Sequence, residues 1–272
     1  MLGNITLGQY FPGDSPLHRM DPRAKLVLTM TFMVLIFLVK SLLGYALVIA
    51  FIALAAGLSG VNIKYLFKGL KPLMFLILFT VGINALFTNS GQIFFHWRFI
   101  TISAGGLWQA AFMALRLALL IVGTQLMMLT TSPLALTDAI EQLLGPLKRV
   151  RFPVHELAMM MTIALRFIPT LLEEADKIMK AQASRGADFE SGNVVARARN
   201  MVPLLVPLFV SAFRRADELA MAMEARCYRG GTGRTRMKVL RYTPVDLWAT
   251  LVTLVLAAAV VADRLLVAGP LL

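Results

Sequence analysis

The sequence predicts an all-α, polytopic helical membrane protein of about five transmembrane helices, with a cytoplasmic helical domain before the last of them. Three observations predict it. The chain of 272 residues is 58% hydrophobic yet carries a formal net charge of +12, a pairing unusual in a soluble domain. The apolar residues fall in long runs and the charges gather between them, as in membrane spans joined by basic inner segments. A soluble nucleic-acid binder of this charge would spread it over a polar surface instead.

The N-terminal stretch "MLGNITLGQYFPGDSPLHRMDPRAKL" is polar and broken by Gly and Pro. It lacks the basic-then-apolar order of a cleavable signal, so the first apolar run is expected to insert and stay. A helix needs roughly 20 apolar residues to cross the hydrocarbon core. Runs of that kind occupy residues 24–39, 42–61, 72–88, 106–130 and 245–267. Lys and Arg then set the orientation. With the N-terminus inside, inner segments carry Arg19, Arg23, Lys25, Lys64, Lys68, Lys71 and 17 more in the interval 132–243. Outer loops carry only Lys40 and Arg98, and Arg264 lies near the outer end of the last span. The expected organisation is a transmembrane domain over 1–131, a cytoplasmic or interfacial domain over 132–243 and a final span over 244–272, its C-terminus outside.

Residues 132–243 hold 17 basic and 11 acidic residues in a helical pattern. "TSPLALTDAIEQLLGPL" reads as a short amphipathic helix, with Ser132 as N-cap, Pro133 in its first turn and Gly145-Pro146 as its stop. Residues 153–184 read as a long helix bent near Pro169. Residues 193–228 read as a second, interrupted by Pro203 and Pro207. Each begins apolar and ends charged, which suits a helix rooted at a membrane interface and projecting into water. Whether 155–172 and 201–213 lie in or along the membrane is left open by their composition.

The two helices end alike. "EEADKIMKAQASRG" closes on Ser184-Arg185-Gly186, and "RRADELAMAMEARC" closes on Ala225-Arg226-Cys227. Asp176 and Asp217 stand at the same distance from the two arginines, and Ala181 matches Ala222. Cations favour helix C-termini through the dipole, and Gly186 suits a C-cap. Small flanking residues also let a guanidinium, a rigid fork matched to carboxylates, enter a groove on another surface. The residues alone allow both readings.

With these motifs the chain resembles the transmembrane (T) component of energy-coupling factor transporters, ABC-type importers of vitamins and metal ions. "FPGDSPLHRMDPRAKL" (11–26) is similar to that family's N-terminal segment, and "RRADELAMAMEARCYRG" (214–230) to its most typical stretch. The resemblance implies two cytoplasmic coupling helices, each ending in an arginine between small residues. Here these are Ser184-Arg185-Gly186 and Ala225-Arg226-Cys227, with Ser and Cys where Ala and Gly are commoner. It implies that two cytoplasmic ABC ATPase subunits each receive one helix, with ATP and Mg on those subunits and no cofactor on this chain. It further implies a partner substrate-binding membrane (S) component.

Other residues are weighed against rival functions. Arg116 lies near the middle of the fourth span, where a charge is costly, and reads as structural, paired with backbone carbonyls or with Asn84 of the third span. A stand-alone secondary transporter would need more polar groups at that depth. Glu173-Glu174 is similar to the paired glutamates of intramembrane CAAX-type proteases, which also need helical histidines. The only histidines, His18, His96 and His155, show no metal-ligand spacing. No Gly-Lys pair exists to build a phosphate-cradling loop.

Overall fold

Short polar residues open most of the described helices, because the first N–H groups of a helix have no partner within it. The computed structural model describes residues 10–87, 93–97, 100–187, 199–231 and 239–268, with a few single positions between them. Its elements are α1 (Pro16–Arg19), α2 (Pro22–Leu38), α3 (Leu42–Ser59), α4 (Ile63–Lys68) and α5 (Met74–Phe87). These are followed by β1 (Ile93–Trp97), β2 (Ile100–Ser103), α6 (Ala104–Thr130), α7 (Pro133–Leu143), α8 (Val154–Ser184), α9 (Val202–Ala225) and α10 (Pro244–Ala268). Ser15, Asp21, Ser41, Asn62 and Ser103 cap α1, α2, α3, α4 and α6 through their side-chain oxygens.

By length and composition, five helical runs suffice to cross a membrane: Leu42–Ser59, Ile63–Asn84, Ala104–Thr130, Val154–Ser184 and Pro244–Leu266. Four coincide with expected spans. The first expected span folds as the 17-residue α2, at the lower end of the roughly 17–25 residues that suffice. The helical fold class holds, with one addition. β1 and β2 pair antiparallel as a short hairpin between α5 and α6, where the sequence reading placed only a loop.

The chain divides into two compact units, one of residues 8–139 and 239–272, the other built on Ile140–Lys238. In the first, α2, α3, α6 and α10 close around Phe32, Leu35, Ile36, Val39, Tyr45, Val48, Ile52, Leu119, Leu256 and Val260. Gly123 of α6 lets the Phe32 ring approach so closely that a Cβ would lie 2.3 Å from it.

A buried polar clasp holds one end of this bundle. Thr243 and Asp246 form a one-sided capping box on α10: the Thr243 amide and hydroxyl donate to Asp246 Oδ2 at 2.6 and 2.9 Å, while the Asp246 amide donates to Thr243 O. Asp246 Oδ1 accepts from the Asp21 amide at 2.8 Å. Asp21 in turn accepts from the Arg23 amide, Nε and Nη2, and Arg23 lies over the Tyr242 ring and reaches Leu240 O. Lys25 Nζ donates to Thr130 O at 2.7 Å, on the last turn of α6, and to Thr131 Oγ1. Three helix ends are thereby tied together. Burial works against ionisation of Asp21, but the Arg23 side-chain and backbone hydrogen bonds outweigh it and hold the carboxyl below its usual value.

Ser132 begins α7 as expected, accepting from the Ala135 amide, and the second unit takes over within that helix at Ile140. A 3-10 turn over Gly145–Val150 follows. α8 runs through Pro169 without ending. The expected second long helix is broken next to Pro203: among the described residues 195, 199 and 200 are helical, Met201 is a turn, and α9 starts at Val202. Pro203 sits in its first turn, where the missing N–H would have had no helical partner. Pro207 is internal. Residues 194 and 196–198 lie outside the described set.

Asp21→Asn and Asp246→Asn should each lower the melting temperature of the detergent-solubilised chain at neutral pH, each by about 1–3 kcal/mol of stability, since buried acceptors are weakened. Because the folded pKa of Asp21 is depressed, its contribution is present above about pH 4 and lost as the pH falls through the folded value. Thermal unfolding of wild type and Asp21→Asn should therefore converge in acid.

Candidate functional site

The two arginine tips are built identically from the backbone upward. Arg185 (φ −91°, ψ 7°) and Arg226 (φ −92°, ψ 13°) are the C-cap residues of α8 and α9. The next residue in each turns left-handed, Gly186 at φ 86° and Cys227 at φ 56°. Gly186 N donates to Ala183 O and Ala187 N to Gln182 O, both at 3.0 Å. Cys227 N donates to Glu224 O at 2.8 Å and Tyr228 N to Met223 O at 3.0 Å. Both ends are Schellman caps.

The cap explains part of the sequence motif. Its third residue needs φ > 0, which Gly adopts freely and a residue with a Cβ adopts at a cost. The small size read from the sequence is thus partly a backbone requirement, and Cys227 meets it under strain. The cap also satisfies two of the carbonyls that a helix end leaves free. An anion approaching either tip therefore meets a guanidinium with fewer bare carbonyl oxygens beside it.

Arg185 and Arg226 are exposed, as are Ser184, Gly186, Ala225 and Cys227. Among the described residues neither guanidinium has an ion-pair partner. Ser184 Oγ donates back to Lys180 O at 3.0 Å, so its hydroxyl is spent within the helix.

The sequence reading missed the contact where the two levers meet. Glu174 of α8 accepts from Arg215 Nη2 at 3.0 Å and, on its other oxygen, from Ser211 Oγ. These two residues lie on one face of α9, a helical turn apart. The signal was in the repeat: Glu174 and Arg215 are separated by the same 41 positions as Arg185 and Arg226. At the root of α8, His155 Nδ1 pairs with Glu141 Oε1 of α7 at 3.0 Å. Gly231, beyond the second tip, lies against the His155 ring, where a Cβ would come within 2.6 Å.

Arg116 and Asn84 are not brought together. Asn84 Nδ2 donates to Thr80 O of its own helix at 2.9 Å. Arg116 Nη2 donates to Val39 O, the C-cap of α2, at 2.9 Å, and its Nη1 lies 3.8 Å from Met113 Sδ. The charge thus sits at the C-terminal end of a helix, where the dipole favours it. Glu174, one of the two glutamates weighed as catalytic, has both oxygens engaged by Ser211 and Arg215.

Comparison with known proteins agrees with this architecture. The family model described as "CbiQ: Cobalt transport protein" matches residues 13–239. An energy-coupling factor transporter transmembrane protein, EcfT, of Thermosediminibacter oceani is 58% identical over 260 residues, covering 96% of this chain and 98% of that protein. EcfT of Clostridium kluyveri is 54% identical over 266 residues, covering 97% and 98%. EcfT of Bacillus subtilis is 50% identical over 258 residues, covering 95% and 97%.

Cys227→Gly should relieve the left-handed strain and slow amide exchange in the last turn of α9, by about 1 kcal/mol. Gly186→Val should speed exchange at the end of α8 by at least as much, read by hydrogen–deuterium exchange.

With two matched helix ends, apolar spans and near full-length similarity to these relatives, the chain belongs to the CbiQ family as a multi-pass transmembrane (T) subunit of energy-coupling factor transporters.

Proposed function

We propose that this T subunit passes ATP-driven motion from two cytoplasmic ABC ATPase subunits to a substrate-binding membrane (S) component, for uptake of a vitamin or metal ion. The observation that carries the reading is the pair of identically capped, exposed arginine tips, neither with an ion-pair partner among the described residues. A guanidinium at a closed helix end offers a bidentate fork to a carboxylate. Two such ends on one chain fit two copies of one kind of groove. Each ATPase subunit takes one tip, Ser184-Arg185-Gly186 or Ala225-Arg226-Cys227, and pairs its arginine with an acidic residue. ATP and Mg²⁺ bind on the ATPase subunits, and this chain performs no catalysis. The N-terminus faces the cytoplasm, residues 132–243 lie in the cytoplasm or along its membrane interface, and the C-terminus lies outside, a reading supported by the Lys and Arg distribution.

Truncating one partner of a buried charge pair at an interface costs about 2–5 kcal/mol. Arg185→Glu with Arg226→Glu should therefore abolish co-purification of the ATPase subunits and stop uptake, while membrane insertion is unchanged. ATPase recovery and transport at wild-type levels in that double variant would remove the docking role.

A further inference from the structure

The repeat that delivers the two arginines also delivers the contact where their helices meet. Glu174 and Arg215 occupy equivalent repeat positions, each eleven residues before its arginine tip. From this contact each helix runs about 16 Å to its tip, so the two arms have the same length. The arms, 175–184 and 216–225, contain no Gly or Pro and are mostly Ala, Lys, Leu, Met, Gln and Glu, strong helix formers. Both internal prolines, Pro169 and Pro207, lie on the root side of the contact. Each proline removes a backbone hydrogen bond and makes the helix bend locally. Stiff arms therefore extend past the contact, and bendable stems lie before it.

One carboxylate makes the polar part of the contact between two helices that also pack side by side. Glu174 takes Ser211 on one oxygen and Arg215 on the other, so both polar interactions converge on one residue of α8. Sliding one helix along the other breaks both interactions, and the next register is a full turn, about 5.4 Å, away.

We propose that Glu174, Ser211 and Arg215 form a register pin that holds the two arginine tips equidistant from the crossing. The pin stops one helix from sliding along the other, so that bending at the proline-containing stems moves the two tips together. Its role in transport rests on the docking function proposed above. The pin itself is a property of this chain alone.

The test uses the full chain in lipid nanodiscs, with Cys227→Gly removing the native thiol and spin labels at Ala181 and Ala222, which are exposed and repeat-equivalent. Electron–electron distance measurement should give one narrow distribution. Glu174→Ala should broaden it or add a second population, and Glu174→Gln should do so partly, which serves if the alanine variant does not insert. The swapped pair, Glu174→Arg with Arg215→Glu, should restore the narrow distribution. In the assembled transporter, Glu174→Ala should leave the ATPase subunits bound but lower substrate imported per ATP roughly tenfold, the scale of coupling within a partly buried charge pair, and the swap should restore it. Unchanged tip distances in both Glu174 variants overturn the pin. A narrow distribution that the swap fails to restore after Glu174→Ala disrupts it also overturns the pin, because a merely structural glutamate would behave so. If the distances respond as expected but transport per ATP does not, the pin stands as a feature of this chain and its part in coupling is overturned, whereas the docking function is judged separately by ATPase recovery in the Arg185→Glu, Arg226→Glu variant.

Discussion

Helix ends govern this chain, because an apolar helix has nowhere else to put its unsatisfied polar groups. Asp246 is the clearest case. One carboxylate closes the start of α10 and takes the amide of Asp21, which itself caps α2. Lys25 answers from α2 by covering the last carbonyl of α6. The packing of Ile36, Val48 and Val260 is apolar and nearly directionless, so it cannot by itself set which ends meet. The polar clasp does, since Asp21, Lys25, Thr130 and Asp246 are buried and would be costly to leave unpaired.

The same rule explains Arg116, whose partner is a backbone carbonyl at a helix end. α2 and α6 are tied twice, Lys25 to Thr130 and Arg116 to Val39. The ties are equally spaced on the two helices, so the pair runs antiparallel in register between them. α6 has 27 residues and α2 has 17. The first dozen residues of α6 therefore extend about 18 Å past the Arg116 tie, alongside α5 and the β1–β2 hairpin. Counting from the ends of the apolar run placed Arg116 at mid-span. Measured against its neighbour it stands at a helix terminus. Hydropathy reports how long a helix is and says nothing of how it is staggered against the next.

Much of the architecture was legible because it rests on periodicity and breakers. The spans, the Ser132 cap and the long helix through Pro169 follow from apolar length and local turn chemistry. The capping box of α10 was equally legible in the Thr-Pro-Val-Asp of residues 243–246, a start signal hidden behind an obvious span. The β1–β2 hairpin was not, since five- and four-residue strands carry little pattern of their own. At the tips, the repeat disclosed two arginines between small residues but not why the neighbours are small. That needed φ at Gly186 and Cys227, a backbone quantity that composition does not encode. Glu174 was in view as one of an acidic pair, yet a carboxylate beside another suggests chemistry only until its partners are known.

A rod that transmits force must be stiff between pivot and tip and compliant elsewhere, or the motion is absorbed before it arrives. Helix-favouring residues fill 175–184 and 216–225, and proline appears only before the Glu174–Arg215 contact. The cap at each tip is stiff as well, since its two extra backbone bonds hold the arginine's own φ and ψ within a few degrees of the same values in both helices. A lysine would carry the same charge on a longer-ranging, single-point head, whereas a guanidinium resists rotation once both of its nitrogens are engaged. Orientation, and not charge alone, is what a rigid arm has to offer a partner, and the residue type, the cap and the proline-free arm each preserve it.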